Sequence, residues 1–167
     1  GNDIAPGCFS QDYRANDIIE MYKKEGTYDK INDIVKGTLF AGEPGPILRW
    51  YKEHDRETYD QIGGILQFKD YIMYRLTNVF ATDLNCFGGA FMVDMNTMDY
   101  SRELLELYGI PELYDALPKL ATEPTEIVGR VTKEASELTG LAQGTPVAAG
   151  MMDILACLVG SGATGDE

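Results

Sequence analysis

Histidine and tryptophan each occur once in the 167 residues, as His54 and Trp50, and cysteine occurs three times. Cys8, Cys86 and Cys157 are far apart, odd in number and form no CxxC. No zinc or dithiol motif is encoded, and reduced thiols in a cytoplasmic protein are the expectation. Basic residues are also scarce: 14 stand against 27 acids, a formal charge of -13. That excludes the basic face nucleic-acid binding needs and argues against an anionic membrane surface. It does not exclude a small anionic ligand, because a few backbone N–H groups can outweigh the global field locally. No apolar run approaches the roughly 20 residues that span a bilayer. "GNDIAPGCF" has neither the basic start nor the apolar core of a signal peptide. Repeats, low-complexity segments and linkers are absent.

What is present suits one domain with a real core, at 44% hydrophobic residues. "IAPGCFS" reads as a short strand. "DYRANDIIEMYKKEG" reads as a helix with an apolar face of Ile18, Ile19 and Tyr22, an N-cap at Asp12 and a stop at Gly26. "YDKINDIVKG" is a second helix closed by glycine. "GEPGP" breaks the chain and opens "ILRWYKEHDRETYDQI", a helix interrupted near Asp55. "GGILQF" suits a buried strand, "KDYIMYRLTN" a helix, and "GGAFMVDMNT" a strand and turn. "SRELLELYGIP" is a helix capped by serine and ended by Gly-Ile-Pro. "EIVGRVT" is a strand, "TKEASELTGL" a helix capped at Thr132 or Ser136, "TPVAAGM" a strand, and "DILACLVGSG" a closing helix. Strands alternate with helices, so the class is α/β, helix-rich.

The last junction places Asp153 between "TPVAAGMM" and an apolar helix. Ligands of open α/β sheets bind beyond the carboxyl ends of the strands. A carboxylate there lies near unpaired N–H groups and the positive end of the helix dipole, both of which favour its ionised form. It can take a proton or a hydrogen bond from a hydroxyl. Asp is also a common N-cap, and most strand–Asp–helix junctions are structural. The small residues Ala148, Ala149 and Gly150 ahead of it let a ligand or another backbone approach closely.

These residues carry a resemblance. "GTPVAAGMMDILACLVGSGA" resembles the stretch of FGGY carbohydrate kinases reading roughly "GTPVVAGGGDNAAGAVGAGA". "KDYIMYRLTNVFATD", "ELLELYGIPELYDALPKL", "EIVGRVTKEASELTGLAQGTPV" and "GEPGPILRWYKEHD" resemble further family blocks, and "SQDYRA" resembles its "W.D.RA" motif. Six blocks in the family's order cover most of the chain. Four features depart: Ile47 where lysine is usual, Tyr51 where an aliphatic residue is usual, Ser10 in place of tryptophan, and Met152 and Ile154 beside Asp153. L-xylulose kinases resemble the chain in having a small residue at the Ser10 position and a similar "G.P…LRW.KEH" helix.

The resemblance implies a ribonuclease-H-like, actin-like ATPase fold and transfer of the γ-phosphate of ATP to a hydroxyl of a ketopentose such as L-xylulose or D-xylulose. It implies Asp153 as the general base, Ser10 and Asp12 on the sugar side, and Arg14 as a brace for their loop. ATP and Mg²⁺ are the implied cofactors. Their ligands are expected mostly outside these residues, since the family's Asp-x-Gly-Thr phosphate loop is not among them. Residues 1–167 are therefore expected to form a single partial domain, an internal fragment inactive alone. Small-molecule sugar and ATP are the expected partners. Nucleic acid and membrane are not, and apolar residues left uncovered favour self-association as a homodimer. The alternative is a non-enzymatic acidic α/β module that binds a sugar or a protein. His54 is expected to be solvated and Trp50 to pack in the core. Lys69 and Asp70 are expected to cap and pack, and Asp83 to brace a loop through backbone N–H groups.

Overall fold

The computed structural model describes residues 3–163. Residues 1–2 and 164–167 lie outside them. Along the chain run helices α1 (Asn16–Glu25), α2 (Tyr28–Val35), α3 (Pro44–His54), α4 (Arg56–Tyr59) and α5 (Phe68–Thr77), then strand β1 (Ala81–Asp83). Helices α6 (Leu84–Gly89) and α7 (Arg102–Tyr108), a 3₁₀ turn (Pro111–Ala116) and strands β2 (Lys119–Ala121) and β3 (Ile127–Arg130) follow. Helix α8 (Lys133–Thr139), strand β4 (Pro146–Ala148) and helix α9 (Asp153–Gly160) complete the order. The helix-rich α/β expectation holds. The chain divides into two compact units, Gly1–Ile65 with Ala90–Pro118, and Leu66–Gly89 with Lys119–Glu167.

The first unit is helical. The apolar face read from the sequence for α1, Ile18, Ile19 and Tyr22, is buried, as are Ile31 and Val35 of α2 and Leu104, Leu105 and Tyr108 of α7. Two buried tyrosines tie the core to backbone. Tyr22 donates to the Tyr108 carbonyl at 2.9 Å and Tyr108 donates to the Phe91 carbonyl at 2.8 Å. Burial raises both phenols well above the usual tyrosine range, so they stay protonated donors. Gly45 of α3 lies against the Tyr108 ring, whose carbons a Cβ would meet at 2.6 Å. Asp55 interrupts the helix as expected, and its carboxylate accepts from the Thr58 N–H to restart the chain as α4.

The second unit holds two small sheets. Strands β1 and β2 pair in parallel, Ala81 to Lys119 through Asp83 to Ala121. Strands β3 and β4 pair antiparallel, with a register irregularity between Ile127 and Gly129. Thr132 rather than Ser136 caps α8, accepting from the Ala135 N–H, and Gly140 ends it at φ 78°.

Several local expectations are corrected. "IAPGCFS" forms no strand: of residues 4–10 only Ala5 is half-covered, so no neighbouring strand is there to pair. Asp12 does not cap α1. Ala15 is the N-cap, without a side-chain bond, because Arg14 has taken both Asp12 oxygens. Lys36, at φ 53°, closes α2 in place of the glycine after it. "GGILQF" is irregular, its Ile65 N–H going to the Ala116 carbonyl. "GGAFMVDMNT" supplies a turn pinned by an Asp94–Asp99 bridge instead of a strand. Trp50 is half-exposed, outside the core.

Glu43, the N-cap residue of α3, is a buried acid, 8% exposed, with no side-chain capping bond. Burial raises it to about 7 from 4.5. The folded state thus binds the proton more tightly than the unfolded chain. Stability is fully present below about pH 4.5, falls as pH rises towards 7, and stays low above it. Glu43→Gln should therefore leave stability unchanged at pH 4 and raise it by about 1–3 kcal/mol at pH 8. Urea unfolding at the two pH values measures this, and equal effects at both would contradict it.

Candidate active site

Ser10 and Asp12 share the turn ahead of α1, in the first unit. Ser10 is exposed, and its carbonyl lies so close to Gly42 that a Cβ there would collide with it. The Arg14 N–H donates to Asp12 Oδ1 at 3.0 Å and Arg14 Nε to Oδ2 at 2.8 Å. These bonds hold Asp12 below the usual carboxylate range, so it is an anion near neutral pH. Arg14 is fixed in turn, as the brace expected from the sequence. Its guanidinium lies 5.0 Å from the Trp50 ring centre and 5.6 Å from that of Tyr51, and Nη1 donates to the Tyr51 hydroxyl at 3.2 Å. Cys8 Sγ is 3.9 Å from the same hydroxyl. Trp50 and Tyr51 were not singled out as site residues in the sequence. The signal for Tyr51 was its departure from the aliphatic pattern. His54, expected to be solvated, is exposed but bonds Asp17 Oδ2 at 2.6 Å.

Asp153 is the first residue of α9, in the second unit. Strand β4 ends at Ala148, and the turn through Gly150, at φ 74°, delivers the chain to the helix. The carboxylate is exposed, and Oδ1 accepts from the Ile154 N–H at 2.7 Å. The elements on each side are less buried than the apolar sequence implies. Helix α9 has no buried residue, and Ile154, Leu158 and Val159 are 63%, 46% and 55% exposed. An open hollow of about 430 Å³ is lined by Asp153, Ile154, Cys157, Leu158 and Ser161. An exposed carboxylate at a helix N-terminus beside an uncovered apolar face can accept a proton from a hydroxyl brought to it.

Behind this junction lies a buried charge cluster. Lys69 Nζ is 2.9 Å from Asp70 Oδ1 and 2.8 Å from Asp83 Oδ2, and both acids are almost fully buried. Asp70 Oδ2 accepts from the Thr82 hydroxyl at 2.7 Å. Asp83 Oδ1 accepts from the N–H groups of Asn85 and Cys86, both at 3.0 Å, so Asp83 braces its loop as expected. Asp70, Asp83 and Cys86 bring donor atoms within 4.8 Å of one another. The set does not suit a metal ion. The Lys69 ammonium already supplies the cation, and burial pushes the Cys86 thiol up to about 12, where it stays protonated. Burial also works against the Lys69 charge, but its two carboxylates outweigh that and raise its pKa.

No helix among the described residues is long and apolar enough to cross a membrane. The chain is 33% identical to the L-xylulose/3-keto-L-gulonate kinase of Escherichia coli over 95% of its own length and 32% of the relative's. It is equally identical to the probable L-xylulose kinase of Pasteurella multocida, over 95% of the chain and 33% of the relative. It thus spans about a third of the length of these curated relatives. Among solved structures it matches ligand-bound xylulose kinase from Lactobacillus acidophilus with a TM-score of 0.84 and 25% identity, over 92% of this chain and 31% of that one. It matches xylulose kinase from Rhodospirillum rubrum with a TM-score of 0.80 and 26% identity, over 90% and 30%. The fold is accordingly that of the actin-like ATPase sugar kinases. The family model described as FGGY family of carbohydrate kinases, N-terminal domain, matches residues 2–160, and the chain belongs to that family.

Proposed function

We propose that the full-length protein carrying this chain is an ATP-dependent sugar kinase acting on a ketopentose, L-xylulose or D-xylulose, with gluconate or a polyol as the nearest competitors. The observation that carries the proposal is the exposed Asp153 carboxylate opening α9, in a chain that aligns over 95% of its length with L-xylulose kinases. Asp153 accepts the proton of the sugar hydroxyl that receives the phosphoryl group. Its exposed place at the start of the helix leaves it open to a hydroxyl brought to it. Ser10 and Asp12 bind other hydroxyls of the sugar, with Arg14 holding Asp12 charged and oriented. Phosphoryl transfer is mostly positioning plus charge stabilisation, so fixed groups of this kind are what it requires.

ATP supplies the phosphoryl group and a divalent cation, Mg²⁺ in this proposal, neutralises its charge. No residue of this chain is assigned to either. The 167 residues alone are expected to be inactive. The family match runs through both compact units, which supports reading them as one partial domain. A cytoplasmic setting goes with the need for ATP, and the apolar face of α9 is compatible with a homodimer. A non-enzymatic binding module is less well supported, because the named relatives matched over most of the chain are kinases.

The test is a sugar panel with the full-length protein, reading ADP release. Turnover with kcat/KM at least tenfold higher on a ketopentose than on gluconate, glycerol or hexoses is the expected result. Release of ADP with none of these sugars would contradict the proposal.

A further inference from the structure

The turn between β4 and α9 is held at several points. The Ala149 N–H donates to the Glu126 carbonyl at 2.8 Å and the Gly150 N–H to the Pro124 carbonyl at 2.9 Å. The Met152 side chain rests on Gly89 so closely that a Cβ there would clash with it. The remaining tie comes from a charge: Lys69 Nζ donates to the Ala149 carbonyl at 2.8 Å. Ala149 is 1% exposed and Lys69 is half-buried, so the bond is partly shielded from solvent. Lys69 stands in the first turn of α5, and its ammonium is placed by Asp70 of that helix and Asp83 of β1. These two acids are themselves fixed by Thr82 and by the N–H groups of Asn85 and Cys86. The ammonium thus stands 2.9 and 2.8 Å from the two acids and donates its hydrogen bond to the carbonyl four positions before Asp153.

We propose that Lys69 is a positioning residue for Asp153. The Lys69–Asp70–Asp83 cluster fixes the β4–α9 turn through the Ala149 carbonyl, and so fixes where the Asp153 carboxylate stands. This rests on the reading of Asp153 as the base. A capping lysine would have no reason to reach a carbonyl on another element. An ordinary buried ion pair would not need a second acid to hold the same ammonium. Catalysis is sensitive to such placement, since a shift of about 1 Å can cost on the order of a hundredfold in rate.

The experiment uses the full-length protein with ATP and its preferred sugar. Lys69→Met should lower kcat about 10- to 100-fold and leave both KM values within about twofold. It also leaves two buried acids without their cation. The variant Lys69→Met/Asp70→Asn/Asp83→Asn, which removes that charge imbalance, is therefore measured beside it and should show the same loss of kcat. Thr77→Ala removes a buried hydroxyl bond at the far end of α5. It should lower Tm while leaving kcat unchanged. In an Asp153→Ala background, Lys69→Met should reduce the residual rate less than twofold, because residues acting through one group are not additive. An undiminished effect in that background, or an unchanged kcat in the triple variant, overturns the proposal. A wild-type rate for Asp153→Ala alone would instead show that the base assignment had failed.

Discussion

Replacing Asp153 with alanine in the full-length protein is expected to lower kcat about 10²–10⁴-fold, the range a general base supplies. The same change should hardly touch stability. Asp153 is exposed, it makes one side-chain bond to its neighbouring N–H, and α9 buries nothing. An acid in the first turn of a helix contributes about 0.3–1 kcal/mol through the dipole, and alanine, as a good helix former, returns part of that. The contrast separates a base from a cap: a cap loses stability and keeps its rate, whereas a base loses its rate and keeps stability. Asp153→Asn sharpens the comparison. The amide oxygen can still accept from Ile154, but it cannot take a proton, so its kcat should fall as far as that of alanine. Steady-state kinetics with thermal unfolding on the same preparations decides the matter. A tenfold or smaller loss of kcat in both variants would remove Asp153 from the chemistry.

The largest stability effect is expected at Asp83, which is 1% exposed. Its Oδ1 satisfies two backbone N–H groups at the start of α6, and its Oδ2 faces Lys69. Asp83→Ala leaves both N–H groups without their acceptor and removes one of the two counter-charges of a half-buried ammonium. Stranded backbone donors cost about 1–3 kcal/mol each, and breaking a buried pair costs about 3–5 kcal/mol. Asp70 remains beside the half-buried Lys69, so the pair is weakened rather than broken and the two stranded donors dominate, about 3–4 kcal/mol in total. Asp83→Asn keeps the Oδ1 acceptor and loses only charge at Oδ2, so about half that loss is expected. Urea midpoints at neutral pH give both numbers. A loss below about 1 kcal/mol for alanine, or equal losses for the two variants, would mean the cluster does not hold this loop.

How far each residue's partners lie along the chain decides its legibility in the sequence. Ser101, Gly26 and Gly140 were readable because a cap is settled within one turn, whereas Thr132 and Ser136 stayed open until the structure placed the cap at Thr132. The apolar stripe of α1 was readable because its period is local. Asp12 was misread because the residue that claims its carboxylate, Arg14, stands between it and the helix it was expected to cap. Strands β1 and β2 were missed because each is three residues long and neither alternates in a way that announces a strand. "GGILQF" was overread from its apolar residues, although its two glycines are exposed. Asp153 was visible at a strand–helix junction in both composition and resemblance. Lys69 was visible only as a helix-opening Lys-Asp pair, since its reach to Ala149 depends on tertiary placement.

A crystal structure of the full-length protein with its preferred ketopentose and an unreactive ATP analogue would test the central claim most directly. The expected result is one sugar hydroxyl within about 2.6–3.2 Å of the Asp153 carboxylate, the reach of a general base. Ser10 and Asp12 should bond other hydroxyls of the same sugar. A sugar bound away from Asp153, or bound without Ser10 and Asp12, would contradict the account.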